Sequence, residues 1–145
     1  MALNSTFAGL LLNFLFNNEG IPNYGDAFGI QPTGGTGGVM EIALIQSNGS
    51  EANYTGYQRV EVDRDKVTNE WSGSGNSISN VNEITFPTST GGSSNTINKF
   101  RIYYGDEASQ PFTTIFGEDS LTASVTITAG ETPKFSAGAL TLTFS

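Results

Sequence analysis

Histidine and cysteine are both absent from the sequence, and lysine and arginine together number six in 145 residues. The first absence removes the one side chain whose unperturbed pKa lies near neutrality, and the second removes the readiest nucleophile. Without cysteine there is no disulfide framework and no thiolate metal site, so stability has to come from packing or assembly. Scarcity of basic residues argues against direct contact with nucleic acid, where phosphate neutralisation dominates affinity. The six present, Arg59, Arg64, Lys66, Lys99, Arg101 and Lys134, make no basic stripe, and carboxylates stand near several of them. These gaps favour a chain that binds or builds over one that catalyses.

Charged residues of all kinds make up 14% of the chain, against roughly 25% in an average soluble domain. The formal net charge of −8 is spread thinly, with none of the blocks of like charge that mark a disordered acidic tail. Ten Phe, five Tyr and one Trp supply the buried area that offsets chain entropy, so the chain is expected to fold. Its length suits one structural domain, which would bury roughly 68–70% of the unfolded surface.

Residues 1–18, MALNSTFAGLLLNFLFNN, carry no charge. A secretory signal needs a basic start and a small-residue cleavage site, and a bilayer span needs about 20 apolar residues. Neither pattern fits, and no membrane partner is expected. Leu3, Phe7, Leu10, Leu11, Phe14 and Leu15 fall at helical spacing, with Leu12 and Phe16 widening the stripe. Asn4 or Ser5 can cap the start, and Asn17, Asn18 and Gly20 can stop it. The spacing predicts an amphipathic helix within 1–19, lying either on the chain's own core or on a neighbouring subunit.

Residues 20–38, GIPNYGDAFGIQPTGGTGG, hold Gly20, Gly25, Gly29, Gly34, Gly35, Gly37 and Gly38 with Pro22 and Pro32. Such a stretch reads as a long loop or extended arm, and loops of that length usually carry a function or meet a neighbour. The glycine run lacks the Lys-Ser/Thr that would make it a phosphate loop. Together the helix and arm nominate Phe7, Leu11, Phe14, Ile21, Tyr24, Phe28 and Ile30 for a subunit interface.

From Val39 onward the chain reads as strands. Val39–Gln46 is a nearly continuous apolar run suited to a buried strand. In 57–62, Val60 and Val62 alternate with Arg59 and Glu61 as a half-buried strand would. Further candidates are Ile84–Phe86, Ile97–Tyr104, Phe112–Phe116, Leu121–Thr128 and Ala139–Phe144. The segment Leu121–Thr128 alternates most plainly, with Leu121, Ala123, Val125 and Ile127 expected inward, and Ala129–Pro133 reads as a turn. The expected architecture is mainly β. It is an antiparallel, jelly-roll-like β-sandwich of about eight strands over 39–145, forming one structural domain with the N-terminal helix (1–19) and the arm (20–38).

Carboxylates are the plentiful acid–base groups, so a paired acid and base has to be weighed. Glu61, Asp63 and Asp65 lie two apart, on one face of a strand. They read as a solvated edge, with a weak Ca²⁺ site as the alternative, although the glycine and glutamate of a calcium loop are missing. Asp106–Glu107 and Glu118–Asp119 read as solvated turn residues. Trp71, followed by Ser-Gly-Ser-Gly-Asn, suits a sandwich core or a sugar-stacking platform, and Tyr24, Tyr54, Tyr57, Tyr103 and Tyr104 share that ambiguity. Gly73, Gly75 and Ser79 lack the βαβ context of a dinucleotide site. Thus no catalytic residue, cofactor or metal is expected.

Five segments in order are similar to a known family. They are MALNSTFAGLLLNFLFNN, YTGYQRVEV (54–62), WSGSGNSISNVNEITFP (71–87), INKFRIYYG (97–105) and LTASVTITAGETPKFSAGALTLTF (121–144). Together they resemble a family of small structural proteins of tailed bacteriophages, often labelled tail-fibre proteins and related to capsid decoration or cement subunits. The resemblance covers most of the chain except 20–38. It implies a virion structural protein on the outer surface, foremost a capsid decoration or cement protein. Its partners would be the major capsid protein or tail proteins, and it would form a homo-oligomer such as a trimer. A tail-fibre or baseplate component contacting the host surface is the first alternative, and a carbohydrate-binding module is the second.

Overall fold

The computed structural model describes residues 5–17, 39–63, 70–104 and 110–144. Among them are one helix, α1 (Ser5–Phe16), and nine strands. The strands are β1 (Val39–Gln46), β2 (Val60–Asp63), β3 (Trp71–Ser74), β4 (Ser77–Asn80), β5 (Ile84–Thr85), β6 (Asn95–Tyr104), β7 (Thr114–Ile127), β8 (Lys134–Phe135) and β9 (Thr141–Thr143). The chain is mainly β, as expected, with nine strands rather than about eight. Two compact units are distinguished: one contains α1, β3, β4 and β9, and the other contains β1, β2, β5, β6 and β7.

In the first unit β3, β4 and β9 form an antiparallel sheet in that order. A two-residue turn, Gly75-Asn76, joins β3 to β4, with Ser74 opposite Ser77 and Gly75 at φ +63°. That positive φ is what glycine permits without a Cβ clash. Asn76 then clasps the end of the sheet: its Nδ2 donates to Phe144 O at 2.7 Å, and its O accepts from Phe144 N at 2.8 Å. Buried Asn80 donates to Asn82 O and Ser136 O and accepts from Leu140 N, so its desolvated amide is satisfied.

Helix α1 buries Ala8, Leu12 and Phe16, spaced by four, while Phe7, Leu10, Leu11, Phe14 and Leu15 are half-buried. This shifts the expected stripe: the deepest residues are those on its flank, and Leu3 lies outside the described residues. The cause is Gly9, where a Cβ would come within 2.3 Å of Gly75 O. The small residues Ala8 and Gly9 let the helix backbone approach the β3–β4 hairpin closely, and that selects the face it buries. Phe16 meets fully buried Trp71 edge-on at 4.8 Å between ring centroids.

The second unit is built on a four-stranded sheet in the order β2-β1-β6-β7, with β1–β6 and β6–β7 antiparallel. The run VMEIALIQ of β1 is buried at all but its two ends, as its unbroken apolar character predicts. Ala43, Ile45, Tyr103 and Phe112 form a core cluster with Val39 against it. Strands β5 and β8 make a separate short ladder, and Phe86 N donates to Pro133 O at 2.9 Å beside it. The expected turn at Ala129–Pro133 is present: Gly130 N donates to Ser89 O, and Thr128 Oγ1 donates to Glu131 Oε2.

Strand β7 departs from expectation in two ways. The candidates Phe112–Phe116 and Leu121–Thr128 share one long strand, which carries a bulge: Ile97 pairs with Val125 and Lys99 with Ser120, leaving Leu121–Ser124 opposite Asn98 alone. Of the four residues expected inward, only Ile127 is buried; Leu121 is half-buried, and Ala123 and Val125 are exposed. The bulge removes Leu121–Ser124 from the ladder, and β7 ends the sheet with no described strand beyond it.

Candidate functional site

Among the described residues, Arg59 gathers the densest polar cluster. Glu41 comes from the middle of β1, Glu51 from the segment after it, and Tyr57 from the approach to β2. The guanidinium forks onto Glu51, with Nε to Oε1 at 2.8 Å and Nη2 to Oε2 at 2.9 Å. Its Nη1 donates to Glu41 Oε2 at 2.8 Å and to Phe112 O at 2.6 Å. Glu41 Oε2 also accepts from Phe112 N at 3.0 Å. The Tyr57 hydroxyl donates to Glu51 Oε1 at 2.9 Å and accepts from Leu44 N at 3.1 Å. Below, the guanidinium carbon sits 3.8 Å from the centre of the Tyr103 ring. An arginine suits this place because its planar fork meets a carboxylate with two bonds while its face stacks on an aromatic ring.

Electrostatics follow the geometry. The bonds to Glu51 and then Glu41 raise the Arg59 pKa above its ordinary value against the opposing effect of burial. Burial is the main cause that pushes the Tyr57 hydroxyl well above the usual phenol range. Over the cluster opens a cavity of about 410 Å3, with Gln58, Glu61 and Pro111 completing its wall. Both inner carboxylates are already engaged by one cation, so the arrangement ties β1, the 51–59 segment and Phe112 together.

A second ionic group lies on the outer half of the same sheet. Glu118 on β7 accepts from Lys99 Nζ at 3.0 Å and from Arg101 Nη2 at 2.7 Å. Arg101 Nη1 donates to Tyr103 OH at 3.0 Å. The bonds from Arg101 and then Lys99 hold the Glu118 carboxyl below its ordinary pKa. Glu118 and Asp119 were expected in a turn; they lie within β7 because that strand runs through the supposed break.

The residues nominated for an interface are only partly placed. Phe7, Leu11 and Phe14 are half-buried on α1, whereas Ile21, Tyr24, Phe28 and Ile30 lie outside the described residues. Glu61 is exposed and Asp63 half-buried, while Asp65, Asp106 and Glu107 also fall outside. Trp71 and Tyr54 are core residues, and Tyr104 is exposed. The Arg59 cluster escaped sequence reading, since Glu41 is 18 residues from Arg59 and Phe112 is 53 residues away. Its one local signal was an arginine at alternate spacing from a tyrosine in 57–62.

No curated protein matches the chain. The family model described as podophage GP4 fiber I protein gp80 matches residues 42–143. That span runs from within β1 to the end of β9 and takes in the whole Arg59 cluster except Glu41. It agrees with the resemblance to phage proteins labelled tail fibre. The chain is a structural protein of a phage virion, and it belongs to the podophage GP4 fiber I protein gp80 family.

Proposed function

We propose that the chain is a non-catalytic fibre subunit on the outer surface of the virion, acting by adhesion to other virion proteins. The observation that carries this reading is the family match over 42–143, whose description is that of a fibre protein. Two physical features support it. The Arg59 cluster spends its polar groups on one another, as a structural clamp does. A net charge of −8 disfavours a seat against packaged DNA and suits a solvated exterior. Assembly as a homo-oligomer, a trimer included, would cover apolar surface that the single chain leaves open.

The second reading is a capsid decoration or cement subunit, and the open margin of β7 favours it, because strand addition between copies would link such subunits across a capsid face. Labelled antibody on intact particles separates the two, with tail or collar labelling expected for a fibre and capsid-face labelling for cement. Particles lacking the chain should lose host adsorption while keeping their tolerance of heat and low salt. The opposite pattern would replace the fibre by cement, and particles that never carry the chain would overturn both. Incubation with host-surface polysaccharide should release no shorter chains; release would refute the non-catalytic reading.

A further inference from the structure

Strand β7 is the least covered element of the second unit. Only one of its fourteen residues, Ile127, is buried. Two of the most exposed large hydrophobic residues among those described lie on it, Ile115 at 49% and Val125 at 52%. Each stands directly opposite a buried residue of β6, Ile115 against Tyr103 and Val125 against Ile97. Directly opposite residues share a face: Tyr103 and Ile115 continue the face of Glu41 and Ala43, whereas Ile97 and Val125 continue the other face, that of Leu44 and Gln46, so each face of the sheet runs onto β7 and there loses its cover. The bulge adds a local cost, for Asn98, opposite it in register, has a buried Oδ1 without a hydrogen bond.

We infer that the Ser120–Ile127 margin of β7 is a self-association surface whose occupant is the same margin of a second copy. Charge selects this occupant. Lys99, Arg101, Glu118 and Asp119 cancel along the outer β6–β7 strip, and residues 120–128 carry no charge at all, in a chain of net charge −8. This neutral strip is a place where two acidic chains can touch without stacking like charges. Natural edges are guarded by lysine, proline, brevity or bulges; here the bulge is present, and Ser120–Thr128 has neither lysine nor proline. The alternation is also self-complementary. Antiparallel pairing about Ser124 sets Ala123 against the second copy's Val125 and Thr122 against its Thr126, apolar on apolar and hydroxyl on hydroxyl. Thr126 already meets Thr96 in this manner within the chain, at 3.4 Å between hydroxyls. Eight residues of edge bury less than a standard interface of about 1,200–2,000 Å2, so the pairing is concentration-dependent.

This inference holds whether the chain sits on a tail or a capsid, and it is tested on the full chain in solution. Sedimentation over a concentration series should show reversible association, and Val125→Lys should weaken it by about tenfold or more with the thermal melt unchanged. Because the chain has no cysteine, Ser124→Cys should form a disulfide-linked dimer on mild oxidation much faster than Ser136→Cys. A strictly monomeric chain would overturn the inference. So would an oligomer that survives Val125→Lys, or equal cross-linking at the two positions.

Discussion

At the scale of single residues, Arg59 and Tyr57 decide how firmly the second unit holds. Removing one partner of a buried ion pair leaves the others charged and desolvated, a loss of about 3–5 kcal/mol. Arg59→Ala exposes Glu41, on buried β1, to that penalty, and chemical denaturation should show a loss in that range. Arg59→Lys should recover only part of it, since a lysine cannot fork onto Glu51 and stack on Tyr103 together. Tyr57 governs the alkaline limb. Burial raises its folded pKa, so the neutral phenol contributes stability that is complete below about pH 10, the unfolded value. That contribution is lost as pH rises further. Tyr57→Phe should cost about 1–2 kcal/mol at neutral pH, because Leu44 N loses its acceptor. Its stability should then fall less steeply above pH 10 than that of the parent, as measured by denaturant titration at each pH.

At the scale of elements, the close approach of α1 to the β3–β4 hairpin makes Gly9 a contact residue. In an exposed helix Gly→Ala stabilises by about 1 kcal/mol. Here the new methyl would lie 2.3 Å from Gly75 O, a backbone atom that can yield only if the helix lifts. Gly9→Ala should therefore destabilise by about 1–3 kcal/mol, and a melt that rises instead would show that the helix does not seat on the hairpin. The same hairpin shows what the sequence conceals. The unbroken apolar run of β1 is legible because burial on both faces leaves few ways to place such residues, and Ile97–Tyr104 is legible because buried Phe100 and Ile102 alternate with Lys99 and Arg101. Apart from Trp71 and Ile78, the β3–β4 pair is built from Ser, Gly and Asn, poor strand formers, and its signal is the Gly-Asn turn between two four-residue runs. On β7 the alternation is plain, yet it reports which side chains need cover and not what covers them. The Arg59 cluster is less legible still, since its partners come together only when β1, the 51–59 segment and Phe112 are folded side by side.

At the scale of the whole molecule, the charge balance sets the sign of a final test. Each chain carries −8, so two copies repel over a distance fixed by ionic strength, with a screening length of about 30 Å at 0.01 M and about 8 Å at 0.15 M. The β7 margin offers no net charge to offset this repulsion: Lys99 and Arg101 are engaged within the chain by Glu118, and residues 120–128 are uncharged. Association through that margin has apolar contacts and backbone pairing as its attraction, both nearly indifferent to dilute salt, and long-range repulsion as its opposition. Raising salt from 0.01 M to 0.15 M should therefore tighten self-association, read as a lower dissociation constant by sedimentation. An interface joined by intermolecular ion pairs would respond the other way, because screening weakens them. Weakening by salt would move the contact away from β7 and onto a surface where acidic and basic residues of different copies meet.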